Sequence, residues 1–246
     1  MLLDDYDVIE IFSLVVILLL ILLIISLVNR VYADDYPKTA EYIQSIEMNN
    51  GDLVCVSYPN FAGGFVTSFS RSIWSHTGTI WVDPISNIRY VLEGAIYKHN
   101  KYKHFIKIPL ETWLYFNRKS IIAYKKYIGP AIDSNFIDSI YQQYNNCKLE
   151  GFNFLWARFL FDKDYYEYTK NSKLTCLEFT VILGQEINIY KKDKIYCSYF
   201  PDHVVNNKIS FCEGVSYSSP IKIKYQITDT VLLREDIKNY KKFWKN

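Results

Sequence analysis

Three residues whose side chains can together catalyse acyl transfer occur in this chain: Cys176, His76 and Glu93. Cys176 lies in the segment TCLE at 175–178, which predicts a helix N-terminus with a capping box. In the first helical turn, the dipole and the unpaired backbone N–H groups favour the thiolate, the nucleophilic form of cysteine. An apolar run follows, and Gly184 can end the helix. Because many cysteines lie near helix starts without a function, Cys176 is a candidate nucleophile only together with a base.

His76 is the candidate base, and Glu93 is the candidate residue to orient it. His76 opens a predicted strand that ends at Asp83, and residues 89–93 form the return strand of a predicted hairpin. Glu93 can then bond the far ring nitrogen of His76 and hold its tautomer, while Gly78 leaves room for close approach of a neighbouring backbone. A cysteine, a histidine and a third polar group form an activated nucleophile.

The remaining predicted elements are short strands around a few helices. A helix through Asn145 is predicted, with Asp133 and Ser134 as candidate N-caps. Its apolar face comprises Phe136, Ile137, Ile140, Tyr141 and Tyr144. The other predicted strands are 53–57, 105–108 and 121–124. Strands first, then helices, then a strand-rich end predict an α+β fold.

Composition divides the chain into five segments. They are an acidic tip at 1–10, an apolar span at 11–28, a connector at 29–50, a globular domain at 51–225 and a basic tail at 226–246. A short helix is predicted inside the connector, at 40–47. The total of 246 residues suits one domain of ordinary size with appendages.

The apolar span predicts an uncleaved transmembrane helix. Residues 11–28 carry no charge, and as a helix they would extend roughly 27 Å, close to a hydrocarbon core of roughly 30 Å. A cleaved signal peptide would have a basic start and a shorter apolar run, and a buried core helix would have a polar face. Arg30 and Lys38 follow the span and no Lys or Arg precedes it, so the positive-inside rule predicts a cytosolic C-terminal domain.

The net charge argues against a nucleic-acid-binding protein, and the cysteine spacing argues against a metal site. A net charge of +2 argues against a nucleic-acid-binding protein, although His99 and His104 lie in a basic aromatic stretch that is interpreted as a solvated loop. The five cysteines are odd in number and lack zinc-site spacing, so we expect no metal, no cofactor and a reducing compartment. His203 is an alternative base, but it falls in a predicted loop.

The order of these motifs resembles that of the circularly permuted NlpC-type papain-like cysteine hydrolases. That family includes YiiX-like bacterial proteins, poxvirus members and lecithin retinol acyltransferase-like enzymes. The strings that carry the resemblance are GDLV at 51–54, SHTGTI at 75–80, VLEG at 91–94, GFNF at 151–154 and TCLEF at 175–179. Two positions depart from the family pattern: Leu177 replaces a usual serine, and Asn153 lies in the altered fourth string. The resemblance spans about residues 50–210.

The resemblance implies an antiparallel sheet packed on helices and a Cys176-His76-Glu93 triad. Cys176 would attack an amide, peptide or lipid acyl ester, and an acyl-thioester would form and pass to water or another acceptor. The backbone N–H of Cys176 is the natural first oxyanion donor, and Tyr58 is a candidate second donor. The departures at Leu177 and Asn153 bear on substrate preference and remove no catalytic group.

Two other functions fit the same sequence. The first is a membrane-anchored structural or virion protein that keeps the fold without turnover, since AT-rich coding composition suits a large DNA virus. The second is a lipid acyltransferase, favoured if the anchor presents the site to a bilayer. The basic tail residues could then contact anionic headgroups; they are Lys238, Lys241, Lys242 and Lys245.

Overall fold

A mixed sheet forms the centre of the protein. The computed structural model describes residues 13–25, 37–58, 63, 66–67, 72–94, 105–145, 147–149, 173–192 and 201–225. Within them a seven-stranded sheet has the order β1-β11-β6-β2-β3-β4-β5. Its strands are β1 (Thr39–Tyr42), β2 (Leu53–Ser57), β3 (His76–Val82), β4 (Arg89–Gly94), β5 (Phe105–Pro109), β6 (Ile121–Lys125) and β11 (Ile221–Lys224). The predicted α+β class is confirmed.

Neighbouring strands of the sheet are antiparallel, with one exception. β2 pairs antiparallel with both β3 and β6, and β3 pairs antiparallel with β4. β1 and β11 pair in parallel, with Thr39 opposite Ile221. Every residue of β2 is buried, because this strand lies in the middle of the sheet and is covered on both faces.

Helices cover the two faces of the sheet. One face packs against α2 (Leu110–Phe116) through a core that contains Val54, Val56 and Trp113. The other face packs against α3 (Ser134–Tyr144) and α4 (Cys176–Glu186) through Leu53 and Cys55. This division follows the two-residue period of β2, whose alternate side chains point to opposite faces. The smaller elements are α5 (Pro201–Val205), the β7–β10 pair (Tyr127–Ile128, Ser216–Tyr217) and the β8–β9 pair (Lys148–Leu149, Lys173–Leu174).

The predicted helix at 40–47 is wrong. Thr39–Tyr42 form the edge strand β1, and only Ile43–Ser45 are helical, as a single 3-10 turn. The cause is tertiary, because β11 supplies the backbone partners of β1 from the far end of the chain. Ile46 and Met48 are also buried in the core, so the sheet and its core begin N-terminal to the predicted domain start at residue 51.

The predicted helix is present as α3, which ends one residue before the predicted end, and part of its predicted apolar face is exposed. Its N-cap is Asp133, whose side chain accepts a hydrogen bond from the backbone N–H of Asn135. Ile137 and Ile140 are buried as expected, whereas the Phe136 side chain is 46% exposed. The predicted placement of Phe136 on the buried face is therefore wrong.

The apolar N-terminal segment is helical over residues 13–25, which we call α1. Within the described ranges, no helix is both long and apolar enough to cross a membrane. Residues 11, 12 and 26–28 of the predicted span lie outside those ranges, as do the acidic tip and the basic tail. The GFNF string at 151–154, together with His99 and His104, also lies outside them.

Candidate active site

Cys176 is the first residue of α4, and the predicted capping box is confirmed. The Thr175 hydroxyl accepts a hydrogen bond from the Glu178 backbone N–H at 3.2 Å. The Glu178 carboxylate accepts one from the Thr175 backbone N–H at 2.6 Å. At this position, the backbone N–H of Cys176 has no partner within the helix, so it can donate to an oxyanion.

The predicted end of α4 at Gly184 is wrong, because the helix continues to Glu186. Gly184 serves tertiary packing instead. A Cβ at this position would collide with the ring of Tyr190, and the Gly184 carbonyl accepts hydrogen bonds from the backbone N–H groups of Ile189 and Tyr190. The glycine thus lets the chain after α4 fold back closely onto the helix.

His76 and Glu93 meet on neighbouring strands. His76 begins β3 and Glu93 lies near the end of the antiparallel β4. The Nε2 atom of His76 lies 2.6 Å from Oε2 of Glu93, and both side chains are buried. On β3, a Cβ at Gly78 would lie 2.7 Å from a methyl carbon of Val91 and 3.4 Å from the Cβ of Glu93, both on β4. The predicted role of Gly78 as a site of close approach is confirmed.

Helix α2 supplies a residue that sequence reasoning missed. Trp113 is fully buried, and its indole N–H donates to the same oxygen, Oε2 of Glu93, at 2.7 Å. A buried carboxylate is stable only where donors surround it, and tryptophan is a donor without an acceptor. The only sequence signal is this general need for a donor, which does not identify α2 as its source.

Cys176 completes the chain of contacts. Its side chain lies close enough to His76 to raise the pKa of the imidazole by charge and by hydrogen bonding. Because Nε2 of His76 already contacts Glu93, Nδ1 is the ring nitrogen that is available to the sulfur. A polar contact aligns the two elements, since the Thr77 hydroxyl donates to the Thr180 hydroxyl at 3.2 Å. This contact packs the N-terminal part of α4 against the start of β3.

The charge balance of the site favours an imidazolium. Burial lowers the pKa of His76, but the adjoining Cys176 and Glu93 raise it by charge and by hydrogen bonding, to a net value of about 10. A histidine base beside a cysteine is the arrangement that cysteine nucleophiles use.

Tyr58, the candidate second oxyanion donor, also lies at the site. Its ring centroid is 5.6 Å from that of His76, and its backbone N–H donates to the Ser75 hydroxyl at 2.9 Å. Burial raises the pKa of Tyr58, and the negative charges of Glu93 and Cys176 raise it further. The phenol therefore keeps its proton at neutral pH and can donate it in a hydrogen bond.

The other candidate groups lie outside this arrangement. Cys55 is buried in the core, where burial raises the pKa of its thiol to about 12. Cys147 and Cys212 are partly exposed, as Cys176 is. His203, the alternative base, lies in α5 and not in a loop. Across the described part of the chain, no group of three or more His, Cys, Asp or Glu side chains could hold a metal ion.

Comparisons with known proteins give similarity to solved structures. No family model matches the chain, and no curated protein sequence matches it significantly. Solved structures similar to it include the metalloprotein YiiX from Escherichia coli O157:H7, with a TM-score of 0.45 and 10% sequence identity. The alignment covers 71% of this chain and 98% of that chain. Similarity at this level identifies neither a fold family nor an activity for this chain.

Proposed function

We propose that this protein is a thiol hydrolase of the permuted papain-like (NlpC-type) class, which cleaves an amide, peptide or acyl ester through Cys176, His76 and Glu93. The observation that carries the proposal is a buried chain of contacts from a carboxylate, through a histidine, to a cysteine at a helix N-terminus. In structural cysteines the thiol is usually isolated in an apolar core, as Cys55 is here.

The proposed reaction has two steps. The Cys176 sulfur attacks the substrate carbonyl carbon, and the carbonyl π electrons move onto the oxygen, which accepts hydrogen bonds from the Cys176 backbone N–H and the Tyr58 hydroxyl. The intermediate then collapses, the bond to nitrogen or oxygen breaks, and His76 gives its proton to the leaving amine or alcohol. In the second step, His76 takes a proton from water, whose oxygen attacks the thioester carbonyl carbon. The bond to sulfur then breaks, the acid leaves, and His76 returns its proton to the Cys176 sulfur.

Glu93 and Trp113 act on this reaction through His76. Glu93 accepts from Nε2 of His76 and so keeps Nδ1 towards the sulfur. Trp113 holds the accepting oxygen in place from α2. Since rotation of the imidazole would break its contact with the sulfur, both residues position the base and touch no substrate.

We also propose that the protein is attached to a membrane through residues 11–28. Most large side chains of α1 are exposed, from 38% at Val16 to 63% at Leu14, and only Leu19 and Leu22 are partly buried. A helix that is apolar all round requires an apolar environment, and a lipid bilayer provides one.

A thiol-reactive probe tests the catalytic proposal, because the protein contains its own comparison cysteines. Cys147 and Cys212 have partial exposure similar to that of Cys176. We expect a fluorescent iodoacetamide to modify Cys176 at least about tenfold faster than either of them, and we expect His76→Ala to abolish the difference. Equal rates for the three cysteines, or a rate at Cys176 that His76→Ala leaves unchanged, would contradict the proposal.

Product analysis separates hydrolysis from acyl transfer. With a thioester-forming substrate and an added amine or alcohol acceptor, a hydrolase releases free acid, whereas an acyltransferase yields the acceptor adduct. Cys176→Ala is the control for both products, since the acyl-enzyme cannot form without the sulfur.

A further inference from the structure

The candidate nucleophile and the candidate base belong to opposite faces of the central sheet. His76 lies directly across from Val56, which belongs to the core on the α2 face. Residues directly opposite on neighbouring strands point to the same face, and the contact of His76 with Glu93, which Trp113 of α2 also contacts, lies on that face. Cys176 begins α4, which packs on the other face. The packing of one face alone therefore does not set the distance between the sulfur and the imidazole.

Hydrophobic packing leaves the rotation of α4 about its own axis weakly specified. Consecutive residues of this helix, 177–185, are buried. Most of them are apolar, and a helix that is apolar all round has no single face that must point to the core. Apolar attraction is non-directional, and hydrophobic cores that are repacked lose a unique arrangement before they lose stability. A small rotation or slide of α4 would therefore cost little apolar burial.

Such a displacement would matter at the Cys176 sulfur. The Cα atoms of a helix lie on a cylinder with a radius of about 2.3 Å, so a rotation by about 30° moves a Cα by about 1.2 Å and moves the side chain farther. A slide by one residue moves every atom by about 1.5 Å. A misplacement of about 1 Å at a reacting group can lower a rate about 100-fold. The site thus needs a contact that fixes both the rotation and the slide of α4.

Two buried threonines supply such a contact. Thr77 follows His76 in β3 and lies across from Cys55, which belongs to the core on the α4 face. The Thr77 hydroxyl donates to the Thr180 hydroxyl at 3.2 Å, and the Thr180 hydroxyl donates to the Cys176 carbonyl at 3.1 Å. Both threonines are fully buried, so water cannot replace either hydroxyl. The contact joins the residue next to the base to the backbone of the nucleophile.

This hydroxyl pair differs from other polar contacts of α4. Glu178 accepts from the backbone of Thr175, three residues away, and Gln185 donates to the carbonyl of Lys191, six residues away. Because those partners are close in the chain, the contacts can move together with the helix. The hydroxyl pair instead joins residues 103 positions apart and crosses from the helix to the strand. It can therefore fix α4 relative to the sheet.

We propose that the Thr77–Thr180 hydroxyl pair is the register contact of the active site, which fixes α4 on β3 so that the Cys176 sulfur meets the His76 imidazole. This inference rests on the thiol-hydrolase function proposed above. Both threonines are positioning residues, since they act through the placement of Cys176. A single buried polar pair can fix the register of packed helices at a cost in stability, and the hydroxyl pair has the same effect between a helix and a strand.

Valine substitutions in the full chain test the proposal, because valine resembles threonine in shape and lacks the hydroxyl. Thr180→Val leaves the buried Thr77 hydroxyl without its acceptor, so it should lower the urea midpoint of unfolding. The double variant, Thr77→Val with Thr180→Val, removes both partners, and its midpoint should return to that of the wild type or exceed it. Iodoacetamide should nevertheless label Cys176 about tenfold more slowly in the double variant, because the register of α4 is no longer fixed.

Two further variants serve as controls. Thr180→Ser keeps the hydroxyl and should label Cys176 at the wild-type rate. Thr112→Val removes another buried threonine hydroxyl, one that has no partner among the described residues, and should leave the labelling rate unchanged. A merely structural role of the pair would instead make the labelling rate follow the urea midpoint across all variants.

Several results would overturn the inference: wild-type labelling in the double variant, labelling that recovers together with the urea midpoint, slow labelling in either control, or a double variant less stable than Thr180→Val. The catalytic proposal is scored separately by His76→Ala. If His76→Ala slows the labelling of Cys176 and the double variant does not, the catalytic proposal stands and the register contact is refuted. If Cys176 of the wild type reacts no faster than Cys147 and Cys212, both are refuted.

Discussion

Replacing Trp113 with phenylalanine removes the indole N–H that donates to Glu93 and keeps an aromatic ring in the core. The donated bond is 2.7 Å long, and the same Glu93 oxygen accepts from His76 at 2.6 Å. Trp113 and Glu93 are both fully buried, so water cannot replace the missing donor in the folded protein. We therefore expect a large loss of stability for a substitution that removes one polar group.

The expected magnitude follows from two terms. A hydrogen bond to a charged group contributes about 1.5–3 kcal/mol to the free energy of unfolding, against about 0.5–1.5 kcal/mol for a neutral pair. Loss of part of the indole adds a cavity term, which depends on how far the core relaxes. Trp113→Phe should therefore lower the free energy of unfolding by about 3 kcal/mol or more, of which roughly half comes from the lost donor.

Two controls isolate the hydrogen bond. Trp74 is also fully buried, and its indole nitrogen has no hydrogen-bond partner among the described residues; Trp74→Phe thus removes similar volume without removing a bond. In a double-mutant cycle, Glu93→Gln replaces the charged acceptor by a neutral one. The cost of Trp113→Phe should then fall by about 1–2 kcal/mol, the difference between charged and neutral bonds.

Urea unfolding followed by far-ultraviolet circular dichroism measures these free energies without depending on tryptophan fluorescence. The proteins compared are the wild type, the two single variants at Trp113 and Glu93, their double variant and the Trp74 control. A coupling energy below about 0.5 kcal/mol, or equal losses for Trp113→Phe and Trp74→Phe, would refute the reasoning. The Glu93 carboxylate would then not depend on α2 for a donor.

Three more predictions concern α4 and the base. Thr175→Ala and Asp133→Ala each remove an N-cap and should each lower the free energy of unfolding by about 1 kcal/mol. Only Thr175→Ala should slow the labelling of Cys176 by iodoacetamide. Equal labelling rates in the two variants would show that the Thr175 cap does not affect the reactivity of Cys176. In an NMR titration, His76 should lose its proton near pH 10. Because the pKa of His76 is raised from 6.5 in the folded protein, its charge contributes fully to stability below pH 6.5, and this contribution is lost as the pH rises to about 10. Cys176→Ala should lower this pKa, and an unchanged value would disprove the contact. Gly184→Ala, which in a free helix would stabilise by about 1 kcal/mol, should instead destabilise by about 1–3 kcal/mol in thermal unfolding because an aromatic ring occupies the Cβ position.

Local signals in the sequence predicted much of this architecture. The capping box at 175–178 is decided within four residues, because a threonine hydroxyl and a glutamate carboxylate satisfy each other's backbone donors. The hairpin that brings Glu93 beside His76 follows from two β-rich runs separated by a proline-containing turn. The N-cap of α3 at Asp133 is equally local.

The errors arose where a distant segment overrides the local preference. Residues 40–47 have helical composition, but β11 offers the backbone of Thr39–Tyr42 a row of partners. Gly184 is typical of a helix end, yet the helix continues to Glu186, and the glycine instead leaves space for the Tyr190 ring. Phe136 fits an apolar periodicity, but its side chain is 46% exposed in the first turn of α3.

By itself, then, the sequence determined the helix that begins at Cys176, the strand of His76 and the strand of Glu93, since each depends on contacts between residues close in the chain. Tertiary structure alone decided that the three side chains meet, that Trp113 fixes Glu93 and that Tyr58 lies against His76. These contacts join residues that are far apart in the chain and hold their geometry because the surrounding core is close-packed. Sequence spacing cannot encode such packing, because it depends on how every layer of the fold fits its neighbours.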